Sequence, residues 1–300
     1  MKQSNYNRFP QGLNVAGVNV LNTYAGNVFW VDSGTGSDGN SGTYRQPLAL
    51  IDTAIGKCTA SNGDIIMVFP GHAETVTTSI AADVAGISII GLGNGSNRPT
   101  LVGPSADATI DVTAANITIR NLVFSADAGT TQAATQKIYV NAANCEISDC
   151  EFSAGQYDDD VIYVSTSGTY AYIHDNTFWG TNADGIDTFI YLEGKTPNPI
   201  GVVVENNWFN GYTAAYSPDL GHVYSSGVFT HCLVQDNKFI YMSAGGGIEF
   251  TQAATGIIKG NVFGGGVQDQ MLDPGSCFSF NNYETDAIDA SGMLEPTVTS

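Results

Sequence analysis

The stretch "AYIHDNTFWG", residues 171–180, decides the fold because related segments recur along the chain. Each copy has an apolar or small residue seven positions before a Phe and an Ile or Val five positions before it. The other copies are "ITIRNLVFSA" (117–126), "CEISDCEFSA" (145–154), "VVVENNWFNG" (202–211), "CLVQDNKFIY" (232–241) and "GIIKGNVFGG" (256–265). Their Phe residues follow one another at intervals of 28, 26, 31, 30 and 24 residues. Periods of this length predict a repeat architecture with one structural unit per repeat.

A second short apolar segment lies between successive copies, as in "KIYV" near residue 138, "VIYV" near 162 and "FIYL" near 190. These segments are rich in β-branched and aromatic residues and are bounded by Gly, Asn, Asp and Ser, which is typical of strands and turns. A leucine-rich repeat would need its Leu/Asn consensus, and a propeller blade would need about forty residues with four strands. The repeat therefore predicts one coil of a parallel β-solenoid.

The repeats and the segment that precedes them resemble the right-handed parallel β-helix of the pectate-lyase-like superfamily, over roughly residues 65–283. The preceding segment is "FWVDSGTGSDGNSGTYRQPLALIDTAIGKCTASNGDIIMVFPGH" (29–72). The resemblance implies an all-β fold, a right-handed parallel β-helix (solenoid) of about seven or more coils with an N-terminal capping helix. Leu48, Ile51 and Ile55 lie at i, i+3 and i+7, a spacing that predicts an amphipathic helix able to cover the open end of the solenoid.

Four segments follow from this interpretation. We predict an N-terminal arm over 1–27, a capping module over 28–75, the parallel β-helix over 76–283 and a C-terminal tail over 284–300. The N-terminal segment has no apolar run long enough for a secretory signal, and no later run approaches the length of about 20 residues needed to span a membrane. We therefore expect synthesis in a cytoplasm without a signal peptide.

The charge balance excludes some partners. The chain has 10 Lys and Arg against 29 Asp and Glu, a formal net charge of −19. Such a chain repels phosphate backbones and anionic lipids, so neither nucleic acid nor a membrane is an expected partner. The five cysteines have no zinc-site spacing and are predicted to be reduced and mostly buried. Charged residues are only 13% of the chain, and a surface of neutral polar groups suits sugars or a closely packed neighbour.

Equivalent residues of successive coils stack about 4.8 Å apart in a parallel solenoid, so columns can be assigned from the alignment. Ile173 and Phe178 fall in inward columns, and His174 falls in a polar outward column that faces solvent between Ser148 and Glu205. A Ser/His/Glu triad across that column would separate its members by a full coil on a flat sheet, so an exposed strand residue is the preferred interpretation. A further column predicts a ladder of stacked amides at a turn, formed by Asn176, Asn207, Asn237 and Asn261.

Acidic residues cluster just ahead of the second strands. Asp159 and Asp160 lie on one coil, and Asp184 and Asp187 lie on the next. Carboxylates on adjacent coils can lie about 5 to 10 Å apart, the range in which glycosidases hold their two carboxyl groups. Nearby side chains with aromatic faces for binding sugars are Tyr157, Trp179, Trp208 and Tyr212. No metal or cofactor is predicted, with calcium bound by these turns as the alternative.

Catalytic members of the superfamily have motifs that this chain matches only in part. Polygalacturonase-like β-helices pair an Asp-Asp with a Gly-His-Gly and an Arg-x-Lys, and Asp159 and Asp160 match the first of these. Gly221 and His222 are followed by Val223, and no Arg-x-Lys occurs. Pectate-lyase-type elimination requires a basic residue beside bound calcium, and the repeats offer no Lys or Arg aligned with the acids. Solvated or calcium-bound acidic turns are therefore favoured over catalytic carboxylates.

An acidic β-helix with an N-terminal arm and no signal also resembles β-helical structural proteins of bacteriophage virions, namely tail spikes, head fibres and capsid decoration proteins. The resemblance implies a non-enzymatic protein on the virion surface that binds other virion proteins through residues 1–27 and forms a homo-oligomer, with a trimer as the expected form. The alternative is a spike that binds or degrades a host surface polysaccharide as a hydrolase or lyase. A bacterial adhesin is disfavoured because no export signal is found.

Overall fold

The computed structural model describes residues 13–15, 18–20, 26–104, 108–125, 136–154, 160–180, 188–195, 199–211, 221–225, 227–240, 246–250, 253–264 and 271–284. Within these ranges almost all regular structure is strand, apart from α1 (Ile51–Ile55) and one 3₁₀ turn (Gly95–Asn97). An antiparallel pair, β1 (Leu13–Val15) and β2 (Val18–Val20), comes first. No helix in the described part of the chain is long and apolar enough to cross a membrane.

The remaining strands form three parallel sheets, which the chain visits from the second strand of sheet 1 onward in the repeating order sheet 1, sheet 2, sheet 3. Sheet 1 has ten strands: β3 (Val28–Val31), β4 (Ile65–Val68), β7 (Ser88–Gly91), β10 (Thr118–Arg120), β13 (Glu146–Ser148), β16 (Tyr172–His174), β19 (Val203–Glu205), β22 (Cys232–Gln235), β25 (Gly256–Lys259) and β28 (Phe278–Phe280). Sheet 2 has nine: β5 (Ala73–Thr75), β8 (Thr100–Val102), β11 (Val123–Ser125), β14 (Glu151–Ala154), β17 (Thr177–Gly180), β20 (Trp208–Asn210), β23 (Lys238–Ile240), β26 (Val262–Gly264) and β29 (Tyr283–Glu284). Sheet 3 has eight: β6 (Ile80–Ala82), β9 (Ile110–Val112), β12 (Ile138–Val140), β15 (Asp160–Val164), β18 (Thr188–Leu192), β21 (Gly221–Ser225), β24 (Ile248–Phe250) and β27 (Leu272–Asp273). The all-β right-handed parallel β-solenoid predicted from the sequence is confirmed.

Inward side chains of the three sheets form one continuous apolar core. Its most regular part is a column of buried phenylalanines on sheet 2, whose consecutive ring centroids lie 4.7 or 4.8 Å apart. The column consists of Phe124, Phe152, Phe178, Phe209, Phe239 and Phe263. Because each ring stacks on its neighbour at the spacing of the coils, the alignment of the sequence repeats on Phe is confirmed.

A two-residue turn joins sheet 1 to sheet 2 on most coils. Its first residue has a φ between 52° and 70°, and the positions are Asn121, Asp149, Asp175, Asn206, Asp236, Gly260 and Asn281. Only Gly, Asn and Asp adopt this left-handed conformation readily, which explains their recurrence three residues before each Phe.

The second turn residue builds the predicted asparagine ladder. Asn176 donates its backbone N–H and one amide N–H to Oδ1 of Asn207, over 3.0 and 3.1 Å. Its other amide N–H goes to the carbonyl oxygen of Ile147 on the preceding coil. The same pattern continues through Asn237 and Asn261 and adds a fifth member, Asn282. The ladder satisfies both polar ends of every buried amide.

The N-terminal helix is shorter than the sequence predicted. Leu48 was expected to start it, but Leu48 pairs with Val31 as an extended bridge, and α1 begins at Ile51. The expectation was wrong because Leu48 forms backbone hydrogen bonds with Trp30 and Asp32, which leaves it outside the helix. Ile51 and Ile55 are buried against the first coils, and the capping role of this helix stays a prediction.

Candidate functional site

The predicted acidic site falls largely outside the described residues, which include neither Asp159, Asp184 and Asp187 nor the aromatic residues Tyr157 and Tyr212. Asp160 is described, and it begins β15 as a buried residue. Its Oδ1 accepts a hydrogen bond of 2.6 Å from the hydroxyl of Thr188, which lies beside it on the next coil. The Asp160 carboxylate therefore holds two coils of sheet 3 together.

The two predicted tryptophans lie together on the outer face of sheet 2. Trp208 is opposite Thr177 in the parallel register, and Trp179 is opposite Asn210, so the indoles are diagonal neighbours. Their ring centroids are 5.7 Å apart with planes inclined by 46°, and Trp208 is 42% exposed. This pair offers an amphipathic aromatic surface of the kind that stacks on sugar rings.

A groove of about 490 Å³ lies at the corner where sheet 1 turns into sheet 2. Gly91, Asn94, Arg98, Arg120, Asn121, Asp149, Asp175 and Thr177 are among its lining residues. Its volume falls in the range usual for small-ligand sites, about 300 to 1,000 Å³. Side chains that can donate or accept hydrogen bonds therefore line a concave surface, and they come from successive coils.

The two arginines of the groove are held by carboxylates. Arg120 donates from Nε to Oδ2 of Asp149 over 2.7 Å, and its Nη2 lies 2.7 Å from the same oxygen. Arg98 donates from Nη1 to the carbonyl oxygen of Asp149 over 3.1 Å and from Nη2 to Glu151. Each guanidinium is therefore oriented by at least two contacts.

Asp175 on the next coil is oriented from two sides. Its Oδ2 accepts a hydrogen bond of 2.7 Å from Nδ1 of His174, and its Oδ1 accepts one from the amide of Asn206. Burial by itself raises the pKa of Asp175, but the hydrogen bonds from His174 and Asn206 and the charges of His174 and Arg120 lower it below its ordinary value. Asp175 is therefore an ionised acceptor at neutral pH.

The structure corrects the expectation that His174 faces solvent. Its side chain is only 16% exposed, because the Tyr172 ring stacks on the imidazole at 3.9 Å and Glu146 lies 3.4 Å from Nε2. Ser148, expected on the same outward column, is buried, and its hydroxyl donates to Glu146. His174 thus positions Asp175, and among the described residues it has no hydroxyl nucleophile within reach.

The groove and the tryptophan pair form one surface, which we call the corner site: Arg98, Arg120, Asp149, Asp175, Thr177, Trp179 and Trp208. On the outer face of sheet 2, Glu151, Thr177 and Trp208 lie side by side on three successive strands. Glu151 is the ion-pair partner of Arg98. Two polar residues and an aromatic residue therefore follow one another along a line parallel to the solenoid axis.

A second aromatic feature lies on the outer face of sheet 3. Tyr139, Tyr163, Tyr191 and Tyr224 form a column with consecutive ring centroids 5.3, 4.8 and 5.6 Å apart. Their faces turn largely toward one another, so the column presents ring edges outward. Sugar stacking needs open ring faces, and this tyrosine column is less suited to it than the tryptophan pair.

The sequence analysis named Trp179 and Trp208 as candidates for sugar stacking, which stays a prediction, and did not name Arg98 or Arg120 as groove residues. The scarcity of arginine in the sequence could have drawn attention to them. The chain has a net charge of −19 and only four arginines, and two of these line the groove. Arg98 follows the 3₁₀ turn outside the repeat alignment, so no column placed it beside Asp149 and Glu151.

Comparison with known proteins supports the fold. No protein-family model matches the chain, and no curated protein matches it. A solved pectate lyase from Bacillus sp. N165 in complex with trigalacturonate is similar with a TM-score of 0.56 and 15% identity, over 92% of this chain and 89% of that chain. A rhamnogalacturonan lyase has a TM-score of 0.49 and 15% identity, over 91% of this chain and 90% of its own. At 15% identity the likeness to the pectate lyase shows a shared parallel β-helix fold and nothing further.

Proposed function

We propose that this protein binds a polysaccharide along the corner site. The observation that carries the proposal is the continuity of the arginine-lined groove, in register, with the tryptophan pair, of which Trp208 is exposed. Saccharide sites need planar groups that donate to and accept from hydroxyls, together with aromatic faces that contact the apolar side of a sugar ring. The corner site offers both in one line.

The length of the site favours a chain of sugars over a single sugar. Gly91, Arg120, Asp149, Asp175 and Trp208 belong to five successive coils. Four steps of about 4.8 Å give a surface about 19 Å long, parallel to the solenoid axis. A linear oligosaccharide lying along this axis would contact every coil from Gly91 to Trp208.

Binding without cleavage fits the state of the corner carboxylates. A glycosidase needs one carboxyl group kept protonated as a general acid. Asp175 is held ionised by His174 and Asn206, and Asp149 accepts from Arg120. Hydrolase or lyase chemistry at Asp159, Asp160, Asp184 and Asp187 stays a prediction from the sequence.

The test is the affinity of the Trp208→Ala variant for polysaccharides, measured by titration calorimetry. Removal of an exposed aromatic side chain from the centre of a binding site should weaken binding at least about tenfold. The matched control is Phe278→Ala, which removes a more exposed aromatic residue, 79% accessible, on the outer face of sheet 1. Equal affinities of the wild type and Trp208→Ala, or an equal loss in both variants, would refute the corner site.

The virion-surface role predicted from the sequence is compatible with a rigid laddered solenoid, and a surface spike that binds a host glycan would combine both functions. Attachment through residues 1–27 and homotrimer formation stay predictions. Their test is whether this chain is found in purified phage particles and is lost from them when residues 1–27 are deleted.

A further inference from the structure

We infer that the polysaccharide bound at the corner site is neutral and that Glu151 sets this preference. The inference rests on the proposed function. It concerns the class of sugar and follows from how the charges of the groove are already paired.

Each of the two guanidinium groups already has a carboxylate partner within the protein. An acidic sugar is bound best by a fork of two parallel N–H groups of one arginine. Arg120 directs Nε and Nη2 to Asp149, and Arg98 directs Nη1 and Nη2 to Asp149 and Glu151. A uronate carboxylate would have to displace Glu151 from Arg98, and at Arg120 it would have to share the guanidinium with Asp149, which already occupies Nε and Nη2.

The charge balance of the groove also opposes an anion. Two guanidinium groups face three carboxylates, those of Asp149, Glu151 and Asp175, so their net formal charge is −1. The whole chain adds a background of −19. The groove itself would therefore give a negatively charged sugar no net Coulomb attraction, in contrast to the steering that a positive cleft provides; the one cation next to the tryptophan pair in the described part of sheet 2 is Lys238, opposite Trp208.

The same groups suit neutral hydroxyls. The side chains of Arg120, Asp149 and Asp175 are 55%, 42% and 43% exposed, so a ligand can reach them while their ion pairs stay intact. Ionised carboxylates accept hydrogen bonds from hydroxyls, and guanidinium groups donate to them. A sugar with several hydroxyls and no charge can use this array without separating any ion pair.

Glu151 is the residue that neutralises the more buried arginine. The Arg98 side chain is 14% exposed, and Glu151 is its carboxylate partner. Replacement by Gln keeps the shape and the hydrogen-bonding oxygen but removes the charge. The Arg98 guanidinium would then keep a neutral acceptor but lose its compensating charge, and its positive charge would attract an incoming carboxylate.

The experiment measures the affinities of the full chain for two panels of hexasaccharides by titration calorimetry. One panel is built from glucose, xylose, mannose or galactose, and the other from galacturonate, glucuronate or mannuronate. The tightest neutral ligand should bind at least about tenfold more strongly than every uronate ligand, and its affinity should be unchanged by added salt. Tighter binding of a uronate, or neutral binding that weakens with salt, would overturn the inference.

The Glu151→Gln variant should bind uronates at least about tenfold more tightly than the wild type does, with neutral binding unchanged. Glu193→Gln is the matched control, because Glu193 pairs with Lys195 at 2.6 Å on the sheet 3 side of the molecule, away from the corner site. An equal gain in both variants would show a general charge effect and contradict the role of Glu151. If the wild type binds neither panel, the proposed function itself fails, which is a different result from binding with the opposite preference.

Discussion

At the scale of the residue, Asp64 shows how one buried charge fixes the N-terminal part of the solenoid. Its Oδ1 accepts hydrogen bonds from the backbone N–H and side chain of Asn27 and from the side chain of Asn62. Its Oδ2 accepts one of 2.6 Å from the backbone N–H of Thr59. Burial by itself raises the pKa of Asp64, but these donors outweigh it and lower the pKa.

This lowered pKa predicts acid sensitivity. A carboxyl group with a lower pKa in the folded state contributes stability that is complete above the unfolded value of about 3.9 and is lost as the pH falls through the folded value. Asp64→Asn should therefore lower the free energy of unfolding by about 1 to 3 kcal/mol at neutral pH and by less near pH 2. Urea denaturation at both pH values measures this, with Asp52→Asn as the control, since Asp52 accepts one backbone bond from Ala81 at an exposed position. If Asp64→Asn lowered the free energy of unfolding equally at both pH values, this explanation would be contradicted.

The sequence predicted the positions of individual residues correctly where a residue type has one main structural role. Asn176, Asn207, Asn237 and Asn261 were assigned to a ladder of stacked amides at a turn, and the hydrogen bonds between them confirm it. His174 was placed on the correct column with Ser148 and Glu205, as the strand pairing confirms. Its low exposure was missed because stacking by Tyr172 depends on side-chain conformations that a column alignment does not contain.

At the scale of the element, the asparagine ladder is the feature that the sequence predicted most completely. The stacked amides repeat at one position of the turn, so the periodicity identified both the residues and their hydrogen-bond partners. Short strands such as β16 and β19 have three residues each and gain little stability individually. The ladder therefore provides a large part of the register between coils.

Asn207→Ala tests the ladder at its centre. The substitution leaves the backbone N–H and amide of Asn176 without their acceptor and the carbonyl oxygen of Ile173 without its donor. Each buried polar group left unsatisfied costs about 1 to 3 kcal/mol, so we expect a loss of at least about 2 kcal/mol in the free energy of unfolding. Asn94→Ala is the control, because Asn94 is exposed and makes no side-chain capping bond. A loss in Asn207→Ala no larger than in the control would show that the ladder is not stabilising.

At the scale of the whole molecule, the periodicity of 24 to 31 residues predicted the parallel solenoid, and the three sheets confirm it. The groove could not be predicted in the same way. It depends on Arg98, which lies beyond the repeat alignment, reaching across to Asp149 and Glu151 two coils away. The repeats determine which residues stack in columns. A site that includes residues outside the repeat cannot be predicted from them, because its geometry depends on the three-dimensional path of the turns.

The corner site is the central claim, and a crystal structure of the protein soaked with its tightest-binding hexasaccharide tests it most directly. The account predicts sugar rings along the line from Arg120 to Trp208, with hydroxyls bound to Asp149 and Asp175 and one ring stacked on the Trp208 indole. Sugar bound instead on the tyrosine column of sheet 3, or beside Asp159, Asp184 or Asp187, would contradict it.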